Sequence, residues 1–331
     1  MCSEGAIEAN VASSIGNKHE ITQWASKDGR FRRLGSEFRD SINERGRYPP
    51  ERGRYHLYVS LACPWAHRTL IVLKLKGLQS IIGVSVVHPH MGSQGWSWSA
   101  PDEYDKDVEG VIPDPNFSLG RLKDLYLKLR PDYDGRFTVP VLFDTKQREI
   151  VNNESGEIIR MFNGSFDALL DGAQRKIDLY PENLRRPIDE ANSWIYDLIN
   201  NGVYKTGFAT SQEAYDENLV PLFKGLDRVE KMLNGKDYLI GERLTEADVR
   251  LFTTIVRFDT VYVQHFKCNL RSIRNGYPNI HRWLKDLYWN NPAFKETTSF
   301  IHIKTHYFTS HPQINPTRVI PKGPLPLIED L

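Results

Sequence analysis

Residues 55–71 read YHLYVSLACPWAHRTLI. The alternation in Tyr55-His56-Leu57-Tyr58-Val59 is that of a strand, and after Cys63-Pro64 the apolar spacing of Ala66, Leu70, Leu73 and Leu75 changes to that of a helix ending at Gly77. The run IIGVSVVHP at 81–89 is the next strand. A strand, a crossover helix and a second strand imply a parallel pair with the helix packed on the sheet.

On the N-terminal side, residues 1 to about 50 are polar and rich in Gly and Arg, with DGRFRR at 28–33 and a turn-forming RGRYPPERGR at 45–54. They predict an extended arm. On the other side, residues 90–117 read as a long loop with two exposed tryptophans, Trp96 and Trp98, and loops of that length are usually functional. A helix is predicted over 119–129, strands over 138–143 and 149–152, and a helix over 154–162 with Ile158, Ile159 and Phe162 on one face. That order is a thioredoxin-like α/β domain, spanning residues 51–165.

Beyond Pro181 the pattern is all-α, with helices near 184–201, 211–234, 245–265, 278–289 and 291–297 in a helical domain over 181–310. Thr245 and Asp248 have the spacing of a capping box, whose loss costs about 0.5 to 2 kcal/mol. The Pro-rich tail at 311–331 is expected to lie extended over the surface.

Two domains suit a chain of 331 residues, which exceeds the size of one ordinary core. Lys and Arg number 43 against 42 Asp and Glu, so no basic field is available to hold a nucleic acid. No apolar run has a membrane-spanning length of roughly 20 residues, and the first 30 residues lack the apolar core of a signal peptide. The expectation is a cytoplasmic protein with no membrane partner. Its three cysteines, Cys2, Cys63 and Cys268, are too few and too scattered for a disulfide framework or a zinc cluster. No metal is expected.

Cys63 stands between a strand and a helix that opens with Pro64, a residue favoured at the first helical position because its missing amide would have no partner there. Unpaired N–H groups and the positive end of the helix dipole favour thiolate over thiol and bring such cysteines into a range of about 3.5 to 7.5. The plainer alternative is a buried, inert cysteine. Position 66 is Ala, so no second thiol can close an internal disulfide, and a monothiol needs an external thiol such as glutathione to release it. Cys268 reads as structural. Thr138-Val139-Pro140 has the form of a loop in which a cis proline leaves the Val139 backbone facing the cysteine; a trans proline at a strand start is the alternative. Glu154-Ser155 opens a helix where amides and a hydroxyl can hold a carboxylate while Glu154 takes an amine. His67 and Arg68 are expected to face solvent.

The motifs YHLYVSLACPWAHRTLI, GW at 95–96, GRFTVPVLFD, VNNESGEIIRMF, NGVYKTGFATSQEAYDE, LTEADVRLF and HYFTSHPQINPT run from about Trp24 to Thr317. Together they resemble the glutathionyl-hydroquinone reductases, the Xi class of the glutathione transferases. The resemblance implies the transferase fold, a homodimer, and reduction of a glutathionyl-hydroquinone by glutathione to the hydroquinone and glutathione disulfide. It assigns the nucleophile to Cys63, glutathione binding to Trp96, Arg136, Val139, Glu154 and Ser155, and the hydroquinone to Tyr204 and Tyr307. Read from the residues alone, Trp96 is equally a loop tryptophan folded onto its own domain, and the two tyrosines are core or rim residues. An omega-like thioltransferase or dehydroascorbate reductase would use the same monothiol chemistry. A scaffold without activity would have no need of a cysteine at a helix start beside groups suited to glutathione.

Overall fold

The structure, a computed structural model, describes residues 26, 28–32, 35–100, 104 and 106–331. Cys2, Trp24 and all of residues 1–25 of the predicted arm lie outside the described residues.

Four strands form one mixed sheet in the order β2-β1-β3-β4, with β1 at Tyr55–Val59, β2 at Ile82–Val86, β3 at Val141–Asp144 and β4 at Glu149–Asn152. β1 runs parallel to β2, Tyr55 opposite Ile82, and antiparallel to β3; β3 and β4 are antiparallel. α1 (Pro64–Leu75) is the crossover between the parallel strands, and α2 (Leu122–Leu129) and α3 (Ser155–Gly164) complete this half. α2 starts three residues later than its spacing predicts. Ser118 adopts a left-handed φ of 53°, and the Leu119 amide donates to Asp114, which keeps that stretch in the loop.

The second half is helical. It comprises α4 (Gly172–Arg175), α5 (Arg185–Ile195), α6 (Gly202–Gly207), α7 (Gln212–Met232), α8 (Glu246–Arg257), α9 (Ile273–Gly276), α10 (Pro278–Asn290), α11 (Pro292–Lys295) and α12 (Phe300–Thr309). Helical spacing fades at about 297 in the sequence, yet α12 follows, started by Ser299, whose hydroxyl accepts from the His302 amide. Widened π turns continue α5 through Tyr196–Asn200 and α8 through Phe258–Tyr262. Such turns concentrate at functional sites.

The predicted capping box forms, with the Thr245 amide donating to Asp248 at 3.0 Å. Asp248 also accepts from the Leu239 amide and from Nε1 of Trp283, so the cap is tied into the helical core. The tail carries no helix or strand beyond Thr309 and is held by its carbonyls: Lys304 donates to Lys322 and Gly323, and Trp289 donates to Glu329. Among the described residues no helix is long and apolar enough to cross a membrane.

Two expectations about exposure are corrected. His67 and Arg68 do not face solvent: every residue of α1 from Pro64 to Leu73 is buried, because α3 packs on one side of it and α8 and α11 on another. Trp96 and Trp98 are also buried, each 7% exposed. Their loop folds back through bridges pairing Val86 with Ile112 and Ser97 with Arg121; Trp98 then meets Tyr58 edge-on, and Trp96 stacks on His306 at 4.7 Å.

Candidate active site

β1 ends at Val59, and a short turn carries the chain to Cys63, the N-cap of α1. Its carbonyl accepts the first helical bond, from the His67 amide at 2.9 Å, while Pro64 fills the first helical position. The Val139–Pro140 peptide is cis, and the Val139 carbonyl oxygen lies 3.6 Å from Sγ of Cys63.

In front of the sulfur is a cavity that opens to solvent. Six separate stretches enclose it: Phe31 from the arm, Cys63 to Trp65 at the start of α1, Met91 and Trp96 from the long loop, Arg136 to Val139 before β3, Tyr204 and Phe208 at α6, and His306, Tyr307 and His311 around α12. Most of the lining is aromatic. Phe31 is brought there by Arg30, whose guanidinium pairs with Glu213 and Glu217 of α7.

The phenols of Tyr204 and Tyr307 meet at 2.5 Å, and Tyr307 meets Tyr262 behind it at 3.1 Å. Burial pushes Tyr204 and Tyr307 well above the ordinary tyrosine range, and the electrostatic influence of Tyr262 and Cys63 raises Tyr204 further. Tyr262 is pushed up to about 12, mainly by burial, with Arg257 acting against it. All three therefore keep their protons at neutral pH.

The histidines of the wall are neutral. Burial drives His306 down to about 3, and its Nδ1 lies 3.0 Å from the Pro89 carbonyl oxygen. His311 is also held well below the ordinary range, first by burial, and meets His265 at 3.0 Å.

Six of the eight residues singled out from the sequence thus share one cavity: Cys63, Trp96, Arg136, Val139, Tyr204 and Tyr307. Glu154 and Ser155 do not line it. They sit at the start of α3, where the Glu154 carboxylate accepts from the Gly156 amide at 3.0 Å and from the Ser36 hydroxyl at 3.2 Å. Ser155 is buried, with its hydroxyl 3.5 Å from Nη1 of Arg68. Cys268 is fully buried and its thiol is pushed up by burial, in keeping with the structural role read from the sequence. Among the described residues no cluster of three or more His, Cys, Asp or Glu is arranged to hold a metal ion.

Residues 62–164 match the glutathione S-transferase N-terminal domain and residues 212–286 the glutathione S-transferase C-terminal domain. A solved structure from Phanerochaete chrysosporium, described as the glutathione S-transferase Xi, is 61% identical with a TM-score of 0.90, covering 93% of this chain and 96% of that one. The chain belongs to the Xi class of the glutathione S-transferase family. Its relatives include a Schizosaccharomyces pombe protein named glutathione S-transferase omega-like 2, 56% identical across 95% of this chain and 99% of that protein. The Escherichia coli glutathionyl-hydroquinone reductase YqjG is 52% identical across 90% of each chain. The glutathione-bound structure of YqjG superposes with a TM-score of 0.83 at 51% identity, over 89% of this chain and 95% of that one.

In this Xi-class transferase, sequence reasoning missed Phe31, Trp65, Tyr262, His306, His311 and Arg257. Trp65 sits inside the motif already recognised, directly after Pro64. Phe31 lies within the quoted DGRFRR. His306 and His311 fall inside the quoted HYFTSHPQINPT. Tyr262 and Arg257 carry no local signal, because their importance comes from helices that meet only in the fold.

Proposed function

We propose that this enzyme reduces glutathionyl-hydroquinones with glutathione, releasing the hydroquinone and glutathione disulfide through a Cys63–glutathione mixed disulfide. The observation that carries the reading is the placement of Cys63 and the Tyr204–Tyr307 phenol pair on one aromatic cavity. Apolar aromatic walls suit a quinol ring, and buried phenols that keep their protons suit its oxygens.

In this scheme the Cys63 thiolate attacks the glutathionyl sulfur, and the S–S bond forms as the carbon–sulfur bond breaks. The ring carbon leaves with the bonding electron pair and takes a proton. A phenol donating to the quinol oxygen favours the keto form of the ring, from which the carbon departs more readily. A second glutathione then attacks the mixed disulfide, regenerates Cys63 and departs as glutathione disulfide, its thiol having supplied the net proton. Ping-pong kinetics follow.

Arg136 and Val139, already in the cavity with Cys63, suit one carboxylate and the peptide of glutathione, and Trp96 its flank. Glu154 and Ser155 at the α3 start suit the far end, ammonium and carboxylate respectively. The proposal extends to a homodimer working in the cytoplasm, where thiols stay reduced. It divides the chain into an arm over 1–50, a glutathione-binding domain over 51–165, a helical domain over 181–310 and a tail over 311–331.

The test is steady-state reduction of glutathionyl-menadiol by the purified protein with glutathione, beside Cys63→Ser and a dehydroascorbate control. Menadiol release that disappears in Cys63→Ser is the expected result. Turnover of dehydroascorbate or small disulfides alone would place the protein with the omega-like thioltransferases, a reading favoured by the omega-like name of the S. pombe relative.

A further inference from the structure

Arg257, the last residue of α8, is fully buried. Its guanidinium donates to the carbonyl oxygens of Thr253 at 2.7 Å, Ala62 at 3.0 Å and Leu61 at 3.1 Å, and meets Nδ1 of His67 at 3.1 Å. All four partners are neutral. Burial holds His67 in its uncharged form, and the Arg257 charge reinforces that.

Nearby arginines differ. Arg250 pairs with Glu246 at 3.6 Å and Arg274 with Asp259 at 3.4 Å, whereas the described residues supply no carboxylate to Arg257. A guanidinium removed from water with only neutral acceptors has its hydrogen bonds met and its charge uncompensated. Two of those acceptors belong to the residues directly before Cys63, and His67 lies one turn beyond it on α1. The clamp therefore brackets the nucleophile in sequence while reaching it from the other half of the fold.

We propose that Arg257 is a positioning residue for the reaction described above: its fork fixes the Leu61–Ala62 turn that aims the Cys63 sulfur, and its charge is the counter-charge of the Cys63 thiolate. The field has the reach this requires. Arg257 draws both Tyr262 and Tyr307 downward against their burial, while the charge of Cys63 raises Tyr262, so this phenol senses the two opposite charges at once. The other titratable groups facing Cys63 are Tyr204 from α6, His306 and Tyr307 from α12, His311 beyond it, and Arg136 from the segment before β3. The phenols and imidazoles among them are neutral at pH 7, and Arg136 is the cation among these lining residues.

The inference rests on the proposed role of Cys63, but its test needs no quinol. In a Cys2→Ser, Cys268→Ser background, the pH dependence of Cys63 alkylation by iodoacetamide gives the midpoint for thiolate formation. Arg257→Met should raise that midpoint by about 1 to 3 units, and Arg257→Lys, which keeps the charge and loses the fork, by less. With glutathionyl-menadiol, kcat should fall about tenfold or more in Arg257→Met while the KM for glutathione holds. A folded Arg257→Met protein with an unchanged midpoint overturns the proposal. Should that variant fail to fold, the native arginine serves: the difference in unfolding free energy between the background protein and its Cys63→Ala derivative should grow in favour of the thiol as pH rises through the alkylation midpoint. Stability gained from a lowered thiol pKa is fully present above the unfolded thiol's ~8.5 and is lost as pH falls from there to the alkylation midpoint. A difference that stays flat with pH overturns the proposal equally.

Discussion

The phenol oxygens of Tyr204 and Tyr307 stand 2.5 Å apart on the cavity that Cys63 opens into, although 103 residues separate them in the chain. Tyr307 has contacts to lose on both sides, Tyr204 and Tyr262, so Tyr307→Phe breaks the row at its centre. With a phenol polarising the quinol, either Tyr204→Phe or Tyr307→Phe should lower kcat on glutathionyl-menadiol on the order of 10²-fold. The double variant should fall by less than the product, because the two act as a unit. Alkylation of Cys63 should persist in both single variants, and unchanged kcat in both would remove the phenols from the chemistry.

Phe31 reaches the cavity from the arm and packs on Tyr204 and Phe208, with ring centroids at 6.0 and 5.6 Å. Phe31→Ala takes away one aromatic wall and leaves the thiol and its carbonyl partner untouched. The KM for glutathionyl-menadiol should rise by about tenfold, as expected for an aromatic contact and its buried area, while the KM for glutathione stays put. Equal changes in the two would place Phe31 at the glutathione end instead.

Acid should destabilise the fold. Burial holds His56 at about 4, His265 at about 4 and His306 at about 3, all below the ordinary value of 6.5. Between those values and 6.5 the unfolded chain binds protons that the folded chain does not, so stability is fully present above about 6.5 and is lost as pH falls, by roughly 1.4 kcal/mol per group per pH unit. Asp248 opposes this. Burial raises it to about 6, so it favours the folded state as pH drops from 6 towards its ordinary 3.8. Three groups outweigh one, and thermal melts should shift down between pH 7 and pH 5. Melts that hold steady or rise would contradict the buried neutral histidines.

Asp248 takes hydrogen bonds from the Leu239 amide at 2.9 Å, the Thr245 amide at 3.0 Å and Trp283 at 3.1 Å, all in the core. Asp248→Ala removes the acceptor of these donors and of the Thr245 hydroxyl and should cost on the order of 3 kcal/mol, read as a lowered urea midpoint. Asp248→Asn keeps one acceptor oxygen and should cost less. Per folded molecule, activity should be unaltered in both, since Asp248 is not among the residues that line the cavity.

The thioredoxin-like half was legible because its signals are local: a strand, a cysteine, a proline at a helix start, and a Val139-Pro140 pair whose cis form was anticipated. α12 was not. Its sequence, FIHIKTHYFT, is rich in β-branched and aromatic residues that favour strands in isolation, and tertiary packing makes it a helix. His67 and Arg68 were misplaced for a related reason. Solvent exposure was expected because such side chains usually face water, whereas α1 is covered on more than one face. Tyr204 and Tyr307 could be assigned to the site only by resemblance, since no spacing announces that α6 and α12 touch. Arg257 and Tyr262 illustrate the limit most clearly: each matters for what lies across the fold, and neither sits in a pattern of its own.

The clamp from Arg257 to the Leu61 and Ala62 carbonyls also bears on how the protein is made. Cys63 leaves the ribosome roughly 200 residues before Arg257, an interval of about 10 to 40 s at ordinary elongation rates. Throughout that interval the nascent sheet half carries its cysteine without the guanidinium, the phenol row or α12. If the Arg257 charge is the partner of the Cys63 thiolate, the sulfur gains its full reactivity only once the C-terminal half has closed on it, and the order of synthesis sets when the thiol becomes reactive.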